Sequence, residues 1–174
     1  MFEEKLGFKQ LQSYTTRSKR YEDEIGHIFV TIEEFNQLEN IVAYTEYNGH
    51  HYCATEEQVD EVDIYVVDVM GVRTLFTKYS NKERPIIIIY FDADVLTRIH
   101  RMIKRGDSDS AIIGRVINDD NSDRSVLHML VYNEQNCSHR NCQLYSVDAN
   151  SDMDEVFKQV MDHVLGGIDN DHCG

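Results

Sequence analysis

The chain has 174 residues with 31 acidic against 17 basic side chains, a formal net charge of −14. Its hydrophobic share of 41% and charged share of 28% fit a globular domain and exclude a disordered tail, a collagen-like repeat and a disulfide scaffold. No apolar run approaches the roughly 20 residues of a membrane span, and the charged start Met-Phe-Glu-Glu-Lys does not read as a signal peptide. The expectation is a single cytoplasmic domain over residues 1–174, with a polar tail from 166. The acidic balance disfavours direct nucleic-acid binding, which needs positive charge against phosphates. It suits solubility, or docking on a basic partner as a nucleic-acid mimic. The basic residues nevertheless gather at Arg17, Lys19 and Arg20 and again at Arg98, Arg101, Lys104 and Arg105, which points to small anions, phosphates above all.

In chain order, Thr31 reads as the N-cap of a short helix over Ile32–Leu38, with Glu33 and Glu34 in its first turn. Residues 41–55 carry aromatic and β-branched side chains around Asn48-Gly49, a hairpin signal. Thr55-Glu-Glu-Gln opens another helix. Asp63–Val69 predicts an apolar strand with Asp68 near its end, followed by a helix over 70–79. Pro85, the only proline, opens a second buried strand, Ile-Ile-Ile-Ile-Tyr-Phe. A basic helix fills 92–105 and closes on Gly106. Residues 107–120 predict a helix, 124–133 helix in preference to strand, 144–147 a short strand, and 153–165 an amphipathic helix. The alternation of strands and helices predicts an α/β fold with a largely parallel sheet.

Several spaced blocks share one order: Ser13-Tyr-Thr-Thr-Arg17-Ser-Lys-Arg20, Glu24-Ile-Gly26-His-Ile-Phe29-Val30, Glu33-Glu34-Phe35, Tyr47-Asn-Gly-His-His-Tyr52, Val67-Asp68-Val-Met-Gly71, Arg101-Met-Ile-Lys-Arg105-Gly-Asp, Arg115 and Asn150-Ser-Asp-Met-Asp-Glu. Together they resemble the guanylate kinase family, in the compact form of phages and prophages, over residues 10–165. The resemblance implies a P-loop-kinase-like, three-layer α/β domain. It implies that Ser13, Arg17 and Arg20 hold an acceptor phosphate, as planar guanidinium forks meet phosphate bidentately. His27 and Tyr52 fall on the family's two phosphate-binding tyrosines, and Asp68 falls near acceptor and metal. Arg101, Arg105 and Arg115 correspond to lid arginines that neutralise the transferring phosphoryl group, and Asn150 to a donor-adenine contact. Read by themselves, Arg101 and Arg105 lie i, i+4 on one helix face and could pair with Asp94 or Asp107.

Two departures shape the functional expectation. The 174 residues contain no Gly-Lys dipeptide and hence no G-x-x-x-x-G-K-[ST] loop, the device that cradles donor phosphates. The fold is therefore expected to lack the family's first strand and P-loop, its sheet closing up, borrowing a strand or pairing across an oligomer. The guanine-reading Glu of the family falls on Ala43, and its hydroxyl companion on Ala54, which argues against strict guanine specificity. The expected protein is a degenerate guanylate kinase-like one, without kinase activity, that binds a nucleoside monophosphate or a phosphorylated partner. An active kinase would need ATP and Mg²⁺ with a P-loop supplied in trans. An acidic protein acting on a host partner needs no pocket at all. Cys137, His139, Cys142, His172 and Cys173 could in principle hold zinc, but their spacing is no standard knuckle and no metal is expected.

Overall fold

A computed structural model describes residues 4, 6–81, 83–118 and 142–169. The described chain gathers into two compact units, one running to Arg84 and one from Pro85 on.

The first unit is built on a four-stranded mixed sheet in the order β2-β1-β4-β3. Its strands are β1 (Ser13–Thr15), β2 (His27–Phe29), β3 (Ile41–Tyr47) and β4 (His50–Thr55). The hairpin β3–β4 turns at Asn48-Gly49, where both residues have positive φ (52° and 73°). That is the backbone a two-residue turn requires and that Asn-Gly supplies at little steric cost. β1 runs parallel to β2 with Ser13 opposite His27, and antiparallel to β4 with Thr15 opposite Tyr52. Three of the proposed phosphate ligands are thus set side by side by strand register.

Helix α1 (Ile32–Phe35) begins on the N-cap expected at Thr31, which Glu34 completes as a capping box. Helix α2 (Glu56–Asp60) does the same at Thr55 with Gln58. Helix α3 (Val69–Lys78) packs on β3 and buries Val72, Leu75 and Phe76. The Thr74 hydroxyl accepts the Tyr44 N–H at 2.7 Å and lies 3.2 Å from the Tyr44 carbonyl, fixing the helix to the strand. Ala43 and Ala54, opposite one another in the hairpin, are fully buried in this core.

The strand expected over 63–69 is reduced to one parallel bridge between Ile64 and Gln10. A strand exists through its neighbours, and the described residues offer only the segment 9–11: Leu11 N–H donates to Ile64 O, and Asp63 and Ile64 donate to Lys9 O. Beyond Ile64 the chain carries no ladder among the described residues and leads directly into α3.

The second unit pairs β5 (Ile86–Asp92) with β6 (Cys142–Asp148) in parallel. It adds helices α4 (Val95–Arg105), α5 (Asp109–Asn118) and α6 (Met153–Asp169). Gly106 ends α4 in the left-handed region, as its sequence position predicts. The run of four isoleucines reads as a fully buried strand, yet Ile87 and Phe91 are exposed. Among the described residues, two strands give too few neighbours to cover both faces of so apolar a ribbon. The segment 124–133 and the candidate zinc ligands other than Cys142 lie outside the described residues. No helix among the described residues is long and apolar enough to cross a membrane.

Gly71, in the first turn of α3, is the tightest glycine: a Cβ there would overlap Val67 Cγ2 and meet Asp68 Oδ1 at 3.3 Å. Gly→Ala in a helix ordinarily stabilises by about 1 kcal/mol. Here Gly71→Ala should instead lower stability by about 1–3 kcal/mol, read as a lowered denaturant midpoint.

Candidate functional site

The site begins with a loop that closes on a carboxylate. Residues 16–26 join β1 to β2, and within them Glu24 is buried at 7% exposure. Its Oε1 accepts Arg17 Nη2–H at 2.8 Å, and its Oε2 accepts Arg17 Nη1–H at 3.2 Å and the Arg20 backbone N–H at 2.6 Å. Arg17 Nη1 also donates to the Ser18 carbonyl at 2.7 Å, and the Arg17 N–H donates to Thr15 Oγ1. The guanidinium, 13% exposed, lies over the Phe29 ring at 5.3 Å. These bonds grip Arg17 end-on, through both Nη atoms. Tyr52 adds a side-chain hydrogen bond to the same guanidinium. Hydrogen bonding to Glu24 raises the Arg17 pKa against the cost of burial, with Tyr52 adding to the effect. The Arg20 side chain is largely exposed and reaches Glu24 only at 3.9 Å.

Beside this loop, Ser13 Oγ and His27 Nδ1 are hydrogen-bonded at 2.9 Å. The His27 ring stands edge-on to Tyr52 at 5.8 Å and to Phe29 at 6.0 Å. Burial, then the Arg17 charge, pushes the His27 pKa below its usual value. His27 is therefore a neutral ring at physiological pH. A cleft of about 200 Å³ opens next to these residues. Its walls include Ser13, His27 and Tyr52 from the sheet, and Tyr65 and Asp68 from the chain leading into α3. Asp68 is the N-cap of α3, its Oδ1 accepting the Gly71 N–H at 2.7 Å. This gives the carboxylate a structural task that its position at the end of an expected strand did not indicate. Ala43 lines the cleft with a methyl group, and Ala54 does not reach it.

Four of the expected phosphate-site residues, Ser13, His27, Tyr52 and Asp68, thus share one cleft. Arg17 adjoins it through its charge beside His27 and its hydrogen bond with Tyr52, while Arg20 lies on the rim of the loop. Glu24, which organises both arginines, opens one of the blocks that carry the resemblance, but the resemblance assigns it no role. Its signal was local: a Glu four residues after one Arg and seven after another.

In the second unit the lid-type arginines all have partners. Arg105 makes a two-pronged pair with Asp107, at 2.8 Å through Nε and through Nη2, and Arg115 approaches the same carboxylate at 3.7 Å. The pairing with Asp107 raises the Arg105 pKa. Arg101 donates to the Ala149 carbonyl at 2.5 Å and lies 3.4 Å from that of Ser151. Asn150 is engaged locally: Oδ1 accepts the Asp94 N–H at 2.9 Å, and its own N–H groups donate to Asp148 Oδ1. Among the described residues no group of three or more His, Cys, Asp or Glu could hold a metal ion. Cys53, a buried strand residue, has its thiol pushed up to about 12 by burial.

The fold and cleft define a mixed α/β protein with an arginine-bearing loop beside an aromatic pocket. Solved structures with a similar fold include the guanylate kinase of Anaplasma phagocytophilum, with a TM-score of 0.50 and 18% identity, covering 91% of this chain and 75% of that one. The fold is guanylate kinase-like, and at this identity the likeness is one of fold. No family model matches the chain, and no curated protein matches it in sequence.

The Arg17–Glu24 pair has a consequence for acid stability. Glu24 is held at about 2, first by the Arg17 hydrogen bonds and then by the Arg20 N–H, against about 4.3 in an unfolded chain. Its stabilisation is therefore complete above pH ~4.3 and is lost as pH falls toward 2. Denaturant midpoints measured between pH 6 and 2 should fall more steeply for the parent protein than for Glu24→Gln, which carries no titrating group there.

Proposed function

We propose that the first unit is an acceptor-phosphate site, which binds a nucleoside monophosphate or a phosphorylated partner and does not itself transfer a phosphoryl group. Arg17 and Arg20 supply the charge, Ser13, His27 and Tyr52 supply neutral hydrogen bonds, and Asp68 borders the cleft beside them. The observation that carries the reading is the end-on grip on Arg17. A guanidinium fixed by a buried carboxylate beside the cleft is pre-oriented for anion contact, so a ligand need not supply the ordering entropy. The guanylate kinase-like fold supports the same reading at the level of architecture.

Binding without transfer rests on two features. The 174 residues contain no P-loop sequence to position a donor triphosphate. The arginines that would steady a transferring group have partners in Asp107 and in loop carbonyls. ATP and Mg²⁺ are accordingly not expected to bind.

Thermal unfolding against nucleoside monophosphates, and separately against ATP with Mg²⁺, tests this. A monophosphate at a hundredfold its Kd adds about 2.7 kcal/mol, a rise of several degrees in Tm. The rise should be abolished in Arg17→Ala and reduced in Arg20→Ala, whose exposed side chain makes it the milder change for folding. A comparable rise with ATP would restore the kinase reading. No rise with any phosphorylated ligand would overturn the acceptor site.

A further inference from the structure

Ser13 and His27 stand opposite one another in the β1–β2 register, line the cleft, and share a hydrogen bond between Oγ and Nδ1 at 2.9 Å. The pair has three protonation states, and they differ in what they offer a ligand. With the ring proton on Nε2, the Ser13 hydroxyl donates to Nδ1 and Nε2–H is the one donor left over. With the ring proton on Nδ1, that N–H donates to Ser13 Oγ, the hydroxyl proton is the one donor left over, and Nε2 presents a lone pair. In the imidazolium, Nδ1–H holds Ser13 while Nε2–H and Oγ–H are both left to donate. One added proton therefore takes the pair from one available donor to two and brings a positive charge.

The neighbours decide when that proton enters. Burial and then the Arg17 charge hold the ring neutral, and Arg20 acts in the same direction. Glu24 acts the other way, but its carboxylate is engaged by both Arg17 Nη atoms and the Arg20 N–H. From β4 the Tyr52 ring meets His27 edge-on. Asp68 and Tyr65 share the cleft from the chain leading into α3, and Tyr44 and Tyr47 share it from β3. Carboxylates and phenols ordinarily titrate well away from neutrality, and among the described residues lining the cleft His27 is the only imidazole. A phosphate monoester dianion against the pair reverses the balance, because it offsets the Arg17 charge and accepts from both donors of the cation. Resting on the acceptor-phosphate reading above, we propose that His27 takes up a proton as the anion binds, so that the cleft holds a dianion more tightly as pH falls from 8 to 6. Binding and protonation favour each other by one and the same factor. The gain is complete below the pKa of the free site and is lost as pH rises through that of the complex.

The test follows the assigned His27 ring signals of the full chain by NMR across pH 5 to 9 at fixed ionic strength, with sulfate and then a nucleoside monophosphate against chloride. Sulfate stays a dianion over this range, whereas a phosphate ester takes up its own proton near pH ~6. A bound anion should raise the His27 pKa, and its affinity should rise by about 3- to 10-fold between pH 8 and pH 6. His27→Gln keeps a donor and cannot ionise, so it should lose that dependence. Comparing parent and variant with the nucleotide cancels the ligand's own titration, which both share. The inference is overturned if a bound anion leaves the His27 pKa where it was, or if His27→Gln keeps the parent's pH dependence. Those outcomes leave the phosphate site standing. Failure of both sulfate and nucleotide to bind the parent protein at any pH removes the phosphate site and this inference with it.

Discussion

The buried carboxylate of Glu24 takes three N–H groups from one loop: two from the Arg17 guanidinium and one from the Arg20 backbone. Without it, a guanidinium only 13% exposed would face Phe29 and the sheet with its charge unpaired, which is strongly unfavourable. With it, the loop between β1 and β2 has one arrangement, and that arrangement decides where positive charge meets the cleft. The carboxylate also offsets much of the charge of one arginine. The site is then closer to one net positive charge than to two, and geometry rather than bulk attraction carries its selectivity.

A second constraint bears on the cleft: among the described residues, 65–68 have no strand partner. In a full sheet these residues would be consumed by ladder hydrogen bonds and covered on both faces. Here the chain is tied down by Lys9–Leu11 at one end and by the Asp68 cap of α3 at the other. Tyr65, Val66 and Val67 are thereby free to form a wall. Gly71 sits at the same junction with no room for a Cβ. The cleft is the space between two anchored ends.

What the sequence disclosed followed the range of the interaction. Caps at Thr31 and Thr55, the Asn48-Gly49 turn and the left-handed Gly106 are decided within four residues, and each is where local chemistry puts it. The placement of Ser13, His27 and Tyr52 around one cleft was legible through the spaced motif, which stands in for long-range register. The strand over 63–69 was misread because apolar content signals burial, while strand formation needs a neighbour that composition does not reveal. Tyr65 could not be singled out because a tyrosine in an apolar run ordinarily means core. Asp107 was visible as a neighbour of Arg105, but its sharing between Arg105 and Arg115 depends on how α4 and α5 meet.

A chain of net charge −14 would be an odd host for the proposed phosphate, and the resolution lies in distance. At physiological ionic strength exposed charges are screened beyond about 8 Å, so the distributed acidic surface contributes little inside the cleft. In the proposed site Arg17 would act at contact, and His27, Ser13 and Tyr52 would add hydrogen bonds that carry no self-repulsion. The acidic surface still acts on encounter, slowing the approach of anions that the site would otherwise capture indiscriminately. Discrimination would then come from groups that touch the ligand within the cleft.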